Sequence, residues 1–115
     1  MNLKEIGAKA KEVSRLLGKL GQQQKNDALE AAASALLNRE AAILAANETD
    51  VKKAVEKGMN PGLVDRLRLT PARVADMAAG LRDVAALDDP IGEVESMKKR
   101  PNGLLIGKKR VPLGV

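Results

Sequence analysis

Ala85-Ala86-Leu87-Asp88-Asp89-Pro90-Ile91-Gly92 is the stretch on which the reading of this chain turns. Before it, apolar residues return every three or four positions. After it, that spacing is lost. The residue preceding a proline avoids the α region, so Asp89-Pro90 blocks any further helix. The chain is therefore read as mostly α with a C-terminal β-hairpin. Residues 1–90 form the helical part, and 91–115 form the hairpin and the start of a further strand.

Upstream, Leu3, Ile6, Ala10, Val13, Leu17 and Leu20 alternate spacings of three and four, which sets them along one helical face. Gly18 and Gly21 end that element. A second helix begins near Gln22 and turns Leu29, Ala32, Ala33, Leu36 and Leu37 inward. It runs on through Ile43 and Leu44 with a break near Asn38. The two leading helices are expected to be the most protected part of the chain. Asn47, with Asp50 three residues on, reads as a helix start, an acid lying near the positive helix end. Val51 and Val55 then face inward until Gly58 stops the helix. Asn60-Pro61 opens a short piece with Leu63, Val64 and Leu67. Thr70-Pro71 pairs an N-cap residue with proline at the first helical position. Val74, Met77, Ala78, Leu81 and Ala85 follow on one face.

Downstream, Asn102-Gly103 favours a tight hairpin turn between Glu93–Lys99 and Leu104–Arg110. Val111, Leu113 and Val115 alternate as a further strand would. An apolar strand running to the last residue reads as a piece of something longer, truncated after 115.

The composition excludes much chemistry. The 115 residues suit one domain, yet Phe, Trp, Tyr, His and Cys are all absent. There is no thiolate nucleophile, zinc-thiolate site or disulfide. There is no imidazole base or His-ligated metal. No aromatic platform exists for stacking bases. The start lacks a signal peptide's apolar core, and no run reaches the roughly 18 residues of a membrane span. A cytoplasmic chain with no membrane partner is expected. Eighteen alanines imply closely approaching helices with thin side chains between them.

The net charge of +5 is unevenly placed. Lys98, Lys99, Arg100, Lys108, Lys109 and Arg110 crowd the end, and no acid lies beyond Glu95. Such a cluster can contact phosphates, but lysines also guard a solvated strand edge. The edge reading is favoured, and a nucleic-acid partner is not expected.

No motif amounts to a catalytic constellation. Gly103-Leu104-Leu105-Ile106-Gly107-Lys108-Lys109 is one residue short of a phosphate-binding loop, lacks the Ser or Thr after the lysine, and has no helix following. Ser96-Met97-Lys98-Lys99 matches Ser-x-x-Lys without its companion motifs. Asp88-Asp89 and Glu93-x-Glu95 pair carboxylates, but a turn role before Pro90 suits the first pair better than acid–base work. No Gly-x-Gly-x-x-Gly occurs.

Four segments in order nevertheless resemble one family. They are Ala46-Asn47-Glu48-Thr49-Asp50-Val51, then Asp65-Arg66-Leu67-Arg68-Leu69-Thr70-Pro71-Ala72-Arg73-Val74, then Asp89-Pro90-Ile91-Gly92, and last Arg110-Val111-Pro112-Leu113-Gly114-Val115. Together they are similar to the N-terminal quarter of the γ-glutamyl phosphate reductases (glutamate-5-semialdehyde dehydrogenases), in the aldehyde dehydrogenase superfamily. The resemblance implies an N-terminal piece of an α/β enzyme of proline biosynthesis, residues 1–90 belonging to its cofactor-binding domain. A cysteine thiolate would attack γ-glutamyl phosphate, and NADPH would reduce the resulting thioester to glutamate 5-semialdehyde. The family's cysteine and most of its cofactor pocket lie beyond the matched segment. The resemblance therefore places no catalytic, cofactor-binding or metal-binding residue on this chain, and NADPH is expected to need the full enzyme. It also implies that the basic hairpin joins subunits of a homo-oligomer. Asp65, Arg66, Thr70 and Pro71 then serve helix placement, with a salt bridge from Asp65 or Arg66 to the rest of the enzyme as a second role. The alternative is a stand-alone helical binding module that uses its hairpin on nucleic acid or another acidic partner.

Overall fold

A computed structural model describes residues 2–113 and contains five helices and one two-stranded sheet among them. The helices are α1 (Leu3–Leu17), α2 (Gln22–Asn38), α3 (Glu40–Glu56), α4 (Pro61–Leu67) and α5 (Pro71–Ala85). The strands are β1 (Val94–Lys99) and β2 (Leu105–Lys109). The chain falls into two compact units. One spans Gln23–Leu87, and the other takes in the residues up to Gln22 together with those from Asp88 onward.

The Gln23–Leu87 unit holds every buried apolar residue among those described: Ala33, Val51, Ala54, Val64, Val74 and Ala78. Val74 is the largest side chain fully enclosed. The alanine content explains this, because small side chains let helices close on one another and leave a thin core. Local signals define most boundaries. Thr70 accepts from the Arg73 amide at 3.2 Å, with Pro71 at the first helical position. Asn60 accepts from the Gly62 amide at 2.8 Å, ahead of Pro61. The C-terminus of α3 is a Schellman motif, with Gly58 N–H bonded to Val55 O and Met59 N–H to Ala54 O. Gly58 sits at φ 74°, where glycine alone is at ease.

Several expectations in this unit fail, and of the α2 residues read as inward-facing, Ala32 and Leu37 are exposed while only Ala33 is buried. Asn47 does not start a helix. α3 runs unbroken from Glu40, and the interruption behind it is the single residue Arg39. Val51 is buried as expected, but Val55 is 57% exposed because the Schellman turn carries the last helical turn beyond the core.

In the other unit, α1 is capped at Asn2, whose side chain accepts from the Glu5 amide at 2.9 Å, while the Glu5 carboxylate accepts from the Asn2 amide at 3.2 Å. Its regular apolar stripe lies along one helical face as read, and α1 buries no residue. β1 and β2 pair antiparallel from Val94 opposite Lys109 to Lys99 opposite Leu105, with an irregularity between Val94 and Ser96. That bulge explains why Glu93–Lys99 alternates poorly. The turn is not the two-residue type. With Asn102 and Gly103 at its centre, such a turn needs positive φ at Asn102, whereas here only Gly103 has it, at 87°. The chain uses a three-residue loop, Pro101-Asn102-Gly103. Gly103 N–H bonds to Arg100 O at 2.9 Å, and Arg100 N–H to Leu104 O at 2.7 Å. Val111, Pro112 and Leu113 pair with no strand, and Val115 lies outside the described residues.

Candidate functional site

The densest cluster of specific side-chain bonds lies around the α4–α5 connection. Asn47, projecting from α3, donates from Nδ2 to Leu67 O at 2.9 Å and accepts the Leu69 amide at Oδ1 at 2.7 Å. One side-chain amide thus replaces a strand-like pairing for a backbone that has left helix α4. Arg73, in the first turn of α5, reaches back to the same connection. Its guanidinium donates to the Asp65 and Arg68 carbonyls and holds the Asp65 carboxylate at 3.1 Å. Asp65 therefore pairs within its own segment. Arg66 is exposed and joins no ion pair among the described residues.

This clamped connection forms one wall of an open groove of about 390 Å³ lined by Val55, Met59, Pro61, Val64, Asp65 and Arg68. A second groove of about 350 Å³ adjoins it, sharing Val55 and Arg68. Apolar walls beside one arginine can seat an aliphatic side chain. The one carboxylate of the first groove, Asp65, is engaged by Arg73, while the second is lined as well by Glu48, Lys52 and Glu56.

Farther along, Arg82 of α5 forms a bidentate pair with Glu30 of α2, its closest contact being 2.8 Å. The hydrogen bonds from Arg82 hold the Glu30 carboxyl below the usual carboxylate range, and Glu30 in turn raises the arginine. The pair is an exposed tie between two helices.

The hairpin places the remaining candidates. Glu95 pairs with Lys108 at 3.1 Å and with Arg110 at 2.9 Å, and Glu93 lies 3.8 Å from Arg110. Two of the six clustered cations are thus neutralised at one end of the sheet, while Lys98, Lys99, Arg100 and Lys109 join no ion pair among the described residues. Ser96 and Lys99 point to opposite faces of β1, as residues three apart on a strand must, so the lysine cannot activate the serine. The residues from Gly103 to Lys109 build a loop and β2, with no helix N-terminus to hold a phosphate. Asp89 accepts the Ile91 amide at 3.0 Å, a turn-forming role around Pro90. No group of three or more acidic, His or Cys side chains among the described residues can hold a metal ion.

The sequence had not singled out the roles of Asn47 and Arg73 as bridging residues, nor the Glu30–Arg82 pair. Asparagine is a poor residue for a helix interior, which was the one usable signal for Asn47.

No protein-family model matches the chain. Curated proteins do. The γ-glutamyl phosphate reductase of Lachnospira eligens is 56% identical over 114 residues, 99% of this chain and 28% of that protein. That of Moorella thermoacetica is 56% identical over 95% of this chain and 26% of its own length. That of Nitratidesulfovibrio vulgaris is 49% identical over 98% and 27%. The crystal structure of γ-glutamyl phosphate reductase from Thermotoga maritima superposes with a TM-score of 0.92 at 38% identity, covering 97% of this chain and 27% of that one. The Saccharomyces cerevisiae enzyme gives 0.81 at 30% identity, over 90% and 26%. The chain spans about a quarter of the length of each relative it matches.

Proposed function

We propose that this chain, a member of the γ-glutamyl phosphate reductase family over the whole of its length, serves as an N-terminal portion of an NADPH-dependent oxidoreductase. The reaction is conversion of γ-glutamyl phosphate to glutamate 5-semialdehyde, in proline biosynthesis. One observation carries the reading: identity of 49–56% with the reductases of three organisms, sustained over 95–99% of the chain.

In this portion the residues act as scaffold. With no cysteine among 115 residues, the chain has no thiolate to attack an acyl phosphate, and it is expected to be inactive alone. NADPH binding is not expected of this segment by itself. No buried side-chain polar atom of the described residues awaits a partner, and no glycine-rich fingerprint follows a strand. No chemical step is therefore assigned to this segment. The Asn47 and Arg73 clamp holds α3, α4 and α5 in register, a role for Asp65, Thr70 and Pro71 in helix placement. The hairpin suits subunit joining, because each strand of a two-stranded sheet keeps one unpaired edge. No helix of the described residues is long and apolar enough to cross a membrane. A biosynthetic reductase of this kind works in the cytoplasm.

The test is a chimera in which this chain replaces the matching segment of the Lachnospira eligens reductase. It is expected to restore growth without proline to a bacterium lacking its own reductase, and to oxidise NADPH in the presence of γ-glutamyl phosphate. A soluble, folded chimera with neither property overturns the reading.

A further inference from the structure

Of the six asparagines in the chain, only Asn102 is followed by glycine, and no aspartate is. Asn26, Asn38 and Asn47 lie within helices, where the backbone is held by the helical ladder. Asn2 and Asn60 are helix caps, and Asn60 precedes Pro61, which has no N–H. Asn102 instead occupies the hairpin loop, and every described residue from Glu93 to Leu113 is exposed. No side chain shields the Gly103 nitrogen beside it. Two hydrogen bonds nevertheless engage both reactive groups of the pair. Gly103 N–H donates to Arg100 O at 2.9 Å, and Asn102 Oδ1 accepts the Leu104 amide at 3.1 Å. Neither bond is protected by burial, so local opening of the loop releases both.

We propose that Asn102 is a site of spontaneous deamidation, gated by opening of the hairpin loop. In the opened loop, hydroxide takes the Gly103 amide proton and the nitrogen attacks Asn102 Cγ. The bond from Cγ to Nδ2 breaks, and the side-chain nitrogen leaves as ammonia with a proton from water. Water then opens the resulting five-membered succinimide at either carbonyl, giving aspartate or isoaspartate. No electron changes hands. Either product sets a negative charge beside Lys98, Lys99 and Arg100, which join no ion pair among the described residues. The two differ in the backbone. Aspartate keeps the oxygen that accepts the Leu104 amide. Isoaspartate routes the main chain through its side chain and adds a methylene, so the loop no longer brings Arg100 N–H to Leu104 O, now 2.7 Å apart. The inference stands on the hairpin alone and is independent of the family reading.

The test incubates the full chain at mildly alkaline pH, folded and in concentrated urea, and follows it by mass spectrometry and peptide mapping. A gain of one dalton is expected at Asn102 ahead of every other asparagine. Isoaspartate, detected with an isoaspartate-specific methyltransferase, should be the larger product. The folded chain is expected to convert about ten to a thousand times more slowly than the unfolded one, because only the opened loop reacts. Leu104→Pro removes the amide that holds Asn102 Oδ1 and should speed conversion of the folded chain about tenfold. Asn102→Gln should abolish the gain. In the isolated isoaspartate form, amide exchange at Arg100 should accelerate, whereas Asn102→Asp should leave it unchanged. The proposal is overturned by equal rates in the folded and unfolded chains, or by a folded chain that does not convert. It is equally overturned by a gain that survives Asn102→Gln, by a rate indifferent to Leu104→Pro, or by an isoaspartate form with unaltered exchange at Arg100.

Discussion

Asn47 shows how a single side chain can hold a connection that carries no regular structure. Its amide satisfies both the Leu67 carbonyl and the Leu69 amide, and each is partly buried. Asn47→Ala should leave both unmet and destabilise the Gln23–Leu87 unit by about 1–3 kcal/mol. Asn47→Asp should recover little, because it sets a carboxylate oxygen against the Leu67 carbonyl. Urea unfolding of the three proteins checks this, and equal midpoints would show the bridge to be idle. Glu30 gives a prediction in pH. Hydrogen bonding from Arg82 lowers its folded pKa. The stabilisation is thus present above the usual glutamate range and lost as pH falls through the lowered value. Arg82→Gln should flatten that acid limb in thermal melts followed at several pH values, while changing little at lower pH, where Glu30 is protonated in both proteins. Such an exposed pair contributes modestly.

Elements were legible wherever their signal was local. Thr70-Pro71, Asn60-Pro61, Gly58 and Asp89-Pro90 each carry their turn or cap within four residues, and all four act as read. The start of α3 was not legible, because Asn47 has the chemistry of a cap but spends it on a backbone 20 residues away. The hairpin lay between these cases. Its strands fell within a residue of expectation, but Pro101 shifted the loop from two residues to three. Gly103 carries the left-handed conformation there. Gly103→Ala should cost the hairpin about 1–2 kcal/mol. Amide exchange at Arg100 and Leu104 should accelerate in the variant. Gly107 differs, since a Cβ there would run into the Met97 sulfur and sit close to the Ser96 carbonyl. That side chain is flexible and can swing away, so Gly107→Ala should cost less than Gly103→Ala. The opposite ranking would mean the turn does not depend on its glycine.

At the scale of the whole molecule, periodicity and burial part company. The α1 stripe predicts a buried face and hence a protected leading helix, but a stripe records only that some surface is meant to cover it. Among the described residues the buried apolar ones are Ala33, Val51, Ala54, Val64, Val74 and Ala78, all between Gln23 and Leu87. Amide protection tracks burial and helix packing rather than amphipathic pattern. The slowest amides should therefore lie in α3 and α5, around Val51, Ala54, Val74 and Ala78, while α1 and the hairpin exchange close to their local opening limits. The thin core has a second consequence. With valine as its largest fully enclosed side chain and no aromatic residue anywhere, the unit buries little apolar area per residue. Its melt should be broad and of low enthalpy, and removing one methyl-bearing side chain from its centre should be severe. Val74→Ala deletes two methylene equivalents from a fully enclosed site, at a cost of about 2 kcal/mol, a large share of what so thin a core supplies. Calorimetry of wild type and Val74→Ala, with hydrogen exchange on each, decides the matter. Loss of protection should sweep through α3, α4 and α5 together and leave the already fast α1 unchanged. Protection highest in α1, or an effect of Val74→Ala confined to α5, would mean that the core is not where burial places it.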